Sequence, residues 1–252
     1  MNNSGFTIYP LRLGVAEITP KAKFTYMEEW DTSVTLTYYA FCLKSEDNVV
    51  LIDTGLAKAE WVWEHRKLRL LQEVSIEAAL GEIDVNPSDV KTVILTHLHW
   101  DHCSNNTLFK NAQFIVQEKE MIHALSPIPT QRAIYGWDDE TTPPFLQMVH
   151  QYKMIHGDRH ICDGVEVVLI PSHTPGIQGV LVQGRNKRYL LAGDALPLYD
   201  NFEQRFIPSG LHVSLEDYYR TYEKIQALEV DEILPGHDER LMSRLMSKTS
   251  YT

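Results

Sequence analysis

Seven consecutive residues, Thr96-His97-Leu98-His99-Trp100-Asp101-His102, constrain the fold of this chain more than any other stretch. They follow Thr92-Val93-Ile94-Leu95, an apolar, β-branched run that predicts a buried strand. Four side chains able to bind a metal therefore crowd the end of one strand: His97, His99, Asp101 and His102. Neutral imidazoles and a carboxylate suit a borderline cation such as zinc. One or two histidines in such a place would be ordinary. Four within six residues call for partners elsewhere in the chain.

Later strands supply those partners. The apolar run 165–170 leads into Pro171-Ser172-His173-Thr174-Pro175-Gly176, and the run 188–191 leads into Ala192-Gly193-Asp194-Ala195. The run 230–234 leads into Pro235-Gly236-His237-Asp238. Upstream, residues 34–43 and 49–52 flank the polar turn Ser45-Glu46-Asp47-Asn48 and predict a hairpin that stops at Asp53-Thr54-Gly55. Strand ends on one edge of a sheet are where open folds gather their chemistry, because short loops there converge on one crevice. Asp194, with two carboxylate oxygens, is suited to bridge two cations.

Between these strands, residues 61–82 predict a mostly helical stretch, with Ser75 capping the part that starts at Ile76. Residues 118–125 predict a short helix. Residues 214–228 predict a longer one, capped by Ser214, with Leu215, Tyr218, Tyr222 and Ile225 at helical spacing. Residues 6–18 predict one or two edge strands, and 112–116 another strand. Residues 126–164 differ: Pro127, Pro129, Pro143 and Pro144 alternate with Tyr135, Trp137 and Phe145, and no long period is visible. Such a segment predicts an ordered lid or an interface insertion, including a homodimer contact.

A chain of 252 residues, 44% of them hydrophobic, is long enough for one large core, and residues 1–252 are expected to form a single domain. The formal charge is 23 − 34 = −11, with no run of Lys and Arg. That argues against nucleic acid or an anionic membrane as the main partner and for a small molecule. Cys42, Cys103 and Cys162 form no close pairs, so a disulfide framework is not indicated and a reducing cytoplasm is expected. The first residues lack the basic-then-apolar form of a signal peptide. No apolar run approaches the roughly 20 residues that span a bilayer.

The ordered set of the HxHxDH cluster at His97 to His102, then His173, Asp194 and His237, with Asp53-Thr54-Gly55 upstream, resembles the metallo-β-lactamase superfamily over almost the whole chain. The resemblance implies an α/β fold (α+β in some schemes). Its form would be an αββα sandwich: two mixed β-sheets packed face to face, with helices on the outer faces. It also implies a ligand assignment. His97, His99 and His173 would hold one metal, Asp101, His102 and His237 the other, and Asp194 would bridge them. Asp53 would sit behind the ligands and orient one of them. The implied cofactors are two divalent metal ions, zinc first, with manganese, iron or cobalt admissible. Two cations roughly 3.5–4 Å apart share a water and draw its pKa from about 15.7 towards 7, which suits ester cleavage.

Within the superfamily the spacings most resemble the acyl-homoserine lactone lactonases. Only Asp238 to Thr252 follow His237, so the helical C-terminal domain of glyoxalase II is not expected. One departure stands out: those lactonases carry a Tyr three residues after the bridging Asp, and here that position is Pro197, the nearest tyrosine being Tyr199. Asp101 and Tyr199 are accordingly the candidate catalytic residues, Tyr199 as a donor to the oxyanion or leaving group. The expected reaction opens a lactone or cleaves a related carboxylic ester. Thioester, phosphoester or phosphotriester hydrolysis on the same metals is the alternative. A non-catalytic metal-binding or redox protein is the alternative of another class, but all seven ligands remain and a diiron redox member would place a Glu in the His cluster.

Overall fold

The computed structural model describes residues 5–137 and 142–247. The N-terminal residues 1–4, residues 138–141 of the 126–164 segment and the end of the chain, 248–252, lie outside the described residues. The chain divides into two compact units, each drawn from separate stretches: Ile8–Ala16 with Thr37–Ile155, and Met1–Thr7 with Glu17–Leu36 and His156–Thr252.

The first of these carries a seven-stranded sheet built from β1 (Thr7–Ile18), β2 (Val34–Lys44), β3 (Val49–Ile52), β4 (Gln72–Glu73), β5 (Thr92–Ile94), β6 (Gln113–Gln117) and β7 (Tyr152–Ile155). The spatial order is β4-β1-β2-β3-β5-β6-β7. From Leu36 to Leu43 every residue of β2 is buried, so its dense β-branched and aromatic sequence reads as an inner strand, not an alternating edge. The predicted hairpin forms: β2 and β3 pair antiparallel, with Phe41 opposite Ile52 and Ser45 N donating to Asn48 O. From β3 onwards the strands run parallel, Ile52 opposite Ile94 and Ile94 opposite Ile115. The ends of β3 and β5 are therefore level, and the residues after them are neighbours.

Its helices are α1 (Ala59–Arg66), α2 (Ile76–Gly81), α3 (Trp100–Cys103) and α4 (Glu118–Leu125). The helical reading of residues 61–82 needs correction. Lys67, in the left-handed region at φ 52, ends α1, and the backbone of 71–74 then pairs with β1: Leu71 N bonds Val15 O and Val74 N bonds Leu13 O. Edge pairing across the sheet outcompetes local helix propensity there. Helix α2 starts where expected, with Ser75 Oγ accepting from Ala78 N at 3.2 Å. Among its described residues the 126–164 segment holds four short 3₁₀ turns followed by two strands that sequence periodicity did not reveal, β7 and the next strand, β8 (Arg159–Cys162).

The other unit carries the five-stranded sheet β12-β11-β10-β9-β8. Its further strands are β9 (Val165–Leu169), β10 (Gln178–Gln183), β11 (Arg188–Gly193) and β12 (Glu232–Pro235), and its helices α5 (Leu215–Ala227) and α6 (Arg240–Ser247). Strand β10, too, is absent from the sequence reading. Its centre, Gly179-Val180-Leu181-Val182, is buried on both faces and carries no alternation. The core of this unit gathers Val168, Ile170, Ile177, Leu181, Leu190 and Ala192 against Ile225 of α5. Each of the Val, Leu and Ile side chains contributes roughly 1.5–3 kcal/mol on burial. Ser214 caps α5 as predicted, accepting from Asp217 N at 3.1 Å.

Strands β11 and β12 are parallel, Leu191 opposite Leu234, so Asp194 and His237 emerge from the same sheet edge. A Cβ at Gly236 would lie 2.7 Å from the carbonyl carbon of Gly193, so this close approach admits only glycine. Both sheets are mixed and flanked by helices, which agrees with the expected α/β class. Among the described residues no helix is long and apolar enough to cross a membrane.

Candidate metal centre

The candidate ligand cluster is held from behind by Asp53. Strand β3 delivers this residue beside the end of β5, in the left-handed conformation at φ 60, which Asp tolerates better than most side chains. Asp53 Oδ1 accepts the backbone N–H of Thr96 at 2.7 Å, and Oδ2 accepts the Thr96 hydroxyl at 2.8 Å. The same Oδ2 lies 2.7 Å from His102 Nδ1. One buried carboxylate thus fixes both ends of the motif.

These contacts assign tautomers. With its proton committed to Asp53, the Thr96 hydroxyl accepts from His97 Nδ1 at 3.1 Å. His102 donates its Nδ1–H to Asp53. Each imidazole is left with Nε2 as a lone-pair donor, the usual arrangement when an outer partner orients a metal-binding histidine. His97 Nε2 and His99 Nδ1 come within 3.0 Å of each other. The four-residue helix α3 begins directly after His99 and turns the chain so that Asp101 Oδ2 lies 3.7 Å from His102 Nε2. Its last residue, Cys103, is wholly buried and donates to His99 O at 3.2 Å; burial pushes its thiol well above the usual range, as befits a packing residue.

The later candidate ligands are prepared in the same way. His173 donates Nδ1–H to Leu211 O at 2.7 Å, which leaves its Nε2 3.5 Å from Asp194 Oδ2. The other Asp194 oxygen, Oδ1, is 2.9 Å from His237 Nε2. The bend that presents Asp194 is pinned by the buried Tyr218 hydroxyl, which lies 2.6 Å from Ala195 O and 3.1 Å from Asp194 O. His237 N donates to Pro197 O at 2.8 Å.

Three groups result in which one ligand atom from each residue lies within 4.8 Å of the others: His97, His99 and His173; His97, His102 and Asp194; and Asp101, His102 and His237. All seven residues of the sequence-derived set take part. Six are buried and Asp101 is half-buried. The donor set, five imidazole-bearing and two carboxylate-bearing side chains, fits a divalent cation of the zinc type.

Tyr199 is placed differently. Its ring lies against the guanidinium of Arg244, 3.8 Å from the centroid, and near Phe202, while its backbone N–H donates to Asp238 Oδ2. The hydroxyl is buried and without a hydrogen-bond partner among the described residues, and burial raises its pKa above the ordinary tyrosine value. Sequence reasoning did not assign roles to Thr96, to the Leu211 carbonyl or to Tyr218. Thr96 lies inside the quoted motif, but a carbonyl partner from a distant loop carries no side-chain signal.

The family model of the metallo-beta-lactamase superfamily matches residues 34–237, and the chain belongs to that superfamily; it is a metal-dependent hydrolase. It is 28% identical over 218 residues to an N-acyl homoserine lactonase from Bacillus thuringiensis, covering 81% of this chain and 82% of the relative. A solved N-acyl homoserine lactone hydrolase, with the product N-hexanoyl-L-homoserine at its catalytic metal center, is similar at a TM-score of 0.73 and 22% identity, over 96% of each chain. AidC, a dizinc quorum-quenching lactonase, is similar at 0.69 and 14%, over 95% of this chain and 92% of the other.

Proposed function

We propose that this superfamily member is a dinuclear lactonase, acting on a small lactone or a closely related carboxylic ester. The observation that carries the reading is the convergence of all seven ligands in three groups, together with lactonases among the relatives on both the sequence and the structural side. In this reading His97, His99 and His173 would hold one cation and Asp101, His102 and His237 the other, with Asp194 available to both. Two divalent cations held there supply Lewis acidity and an acidified water. Zinc is the default metal; manganese, iron and cobalt suit the same donors.

The chain's own residues then divide the work. Asp53, Thr96 and the Leu211 carbonyl hold the imidazoles in one tautomer, so no reorientation is needed when substrate arrives. Asp101, the one half-buried member of the set, would take the proton of the attacking water and pass it to the alkoxide oxygen that leaves as the ring opens. Tyr199 keeps its proton and donates it in a hydrogen bond to the substrate oxygen. Residues 1–252 are read as one domain, with 126–164 as a lid or an interface insertion. The compartment is cytoplasmic, in line with three free thiols.

Pro197, standing where the related lactonases carry a tyrosine, favours a second reading: thioester, phosphoester or phosphotriester hydrolysis on the same metals. Purified protein assayed on matched lactone, thioester and phosphotriester panels, with metal content measured in parallel, separates the two. The lactone panel is expected to give the highest kcat/KM. His99→Ala with undiminished activity and metal content would rule out the dinuclear centre.

A further inference from the structure

We propose that Glu120 and Tyr135 are positioning residues that brace the ligand segment His97–His99, an inference that rests on the metal-dependent reading above. Glu120 sits on α4 and is wholly excluded from solvent. Its Oε1 accepts the backbone N–H of Leu98 at 3.1 Å and the hydroxyl of Tyr135 at 2.8 Å. Leu98 is the residue between the two ligands, so the carboxylate grips the backbone at the midpoint of the pair. The ring of Tyr135, also wholly buried, meets the His99 ring in a T-shaped contact, centroids 4.5 Å apart. One side chain therefore controls two constraints on the same ligand segment, a backbone bond and an aromatic wall.

Two further features argue against simple packing. The buried positions beside Glu120 on α4 are Met121 and Ala124, and an apolar residue would complete that face without the cost of burying an acid. The acid is accounted for by the two donors it orders. The turn that carries Tyr135 is also fastened to α4: Trp137 Nε1 donates to Ala124 O at 2.6 Å, and Phe145 packs edge-on to Tyr135. Part of the 126–164 segment is thereby built into the support of the ligands. Glu120 belongs to none of the three ligand groups, so its action passes through Leu98, Tyr135 and His99.

The test compares metal-stripped wild type with Glu120→Ala, Glu120→Gln and Tyr135→Phe, titrated with zinc against a chromophoric chelator and with cobalt(II) followed by its visible spectrum. Glu120→Ala is expected to bind at least one metal about 10–100-fold more weakly and to change the cobalt spectrum. Glutamine keeps an oxygen that accepts both donors, so Glu120→Gln should stay close to wild type. Tyr135→Phe should lose less than Glu120→Ala. A folded Glu120→Ala with wild-type affinities and spectrum overturns the inference. If Glu120→Ala does not fold, Tyr135→Phe decides by the same criteria. Wild-type protein that takes up no metal overturns the metallohydrolase reading and this inference together; wild type holding two metals, with variants indistinguishable from it, overturns this inference alone.

Discussion

His102 Nδ1 lies 2.7 Å from Asp53 Oδ2, and the second Asp53 oxygen takes the backbone N–H of Thr96 at 2.7 Å. Asp53 therefore sets the tautomer of one candidate ligand and the path of the chain that leads to two others. Asp53→Asn keeps the size and tolerates the left-handed backbone, but its amide nitrogen cannot accept the His102 N–H. The expected result is a metal affinity about 10–100-fold weaker, with kcat/KM falling in step, read by metal analysis after dialysis against graded chelator. A variant that retains both metals like wild type would remove Asp53 from this role.

Tyr199→Phe separates packing from catalysis. Its hydroxyl is buried and has no hydrogen-bond partner among the described residues, so deleting it should leave stability unchanged or slightly improved, within about 1 kcal/mol. The Arg244 guanidinium retains a ring to sit on. If the hydroxyl serves the substrate oxygen, kcat/KM falls on the order of 10²-fold while metal content and Tm hold. Equal turnover of the two proteins would end the catalytic assignment.

The candidate ligands were legible because each follows an apolar strand and belongs to a residue type with few other reasons to cluster. His97, His99 and His102 after β5, Asp194 after β11 and His237 after β12 all obey that rule. Strand β10 escaped because it is buried throughout and has no period-2 alternation, and β4 because it exists only through pairing with β1. Glu120 escaped for a different reason. An acid in a short amphipathic helix reads as a solvated face, and only the fold reveals that it points inward at Leu98. Long-range partners, unlike strand ends, leave no mark in local sequence.

Metal removal gives a separate reading on the same site. A ligand that binds only the folded state stabilises it by about 2.7 kcal/mol at 100 times its Kd. Chelation should therefore lower the Tm of wild type markedly, and zinc should restore it. His173→Ala removes a candidate ligand and the bond to Leu211 O, so its Tm should respond less to both treatments. Differential scanning fluorimetry at fixed protein concentration, with and without chelator, checks this; identical chelator responses would exclude His173 from the ligand set.

Asp200 predicts an acid-side dependence of stability. Burial opposes its ionisation, but hydrogen bonds from Lys21 and Arg240, each at 2.8 Å, outweigh that and hold its carboxyl below the usual value. The folded pKa is depressed, so the contribution is fully present above the unfolded value of about 3.9 and is lost as pH falls through the folded one. Arg240 also grips Asp238, the neighbour of His237, through Nε at 2.8 Å and Nη2 at 2.6 Å, so the ion pair tightens the loop that carries a ligand. Asp200→Asn should therefore melt below wild type at neutral pH, by a modest amount because the carboxylate is partly exposed. That gap should close as pH falls below about 4. Thermal melts across that range decide the matter, since a gap that stays constant with pH would mean that Asp200 gains nothing from its two cations.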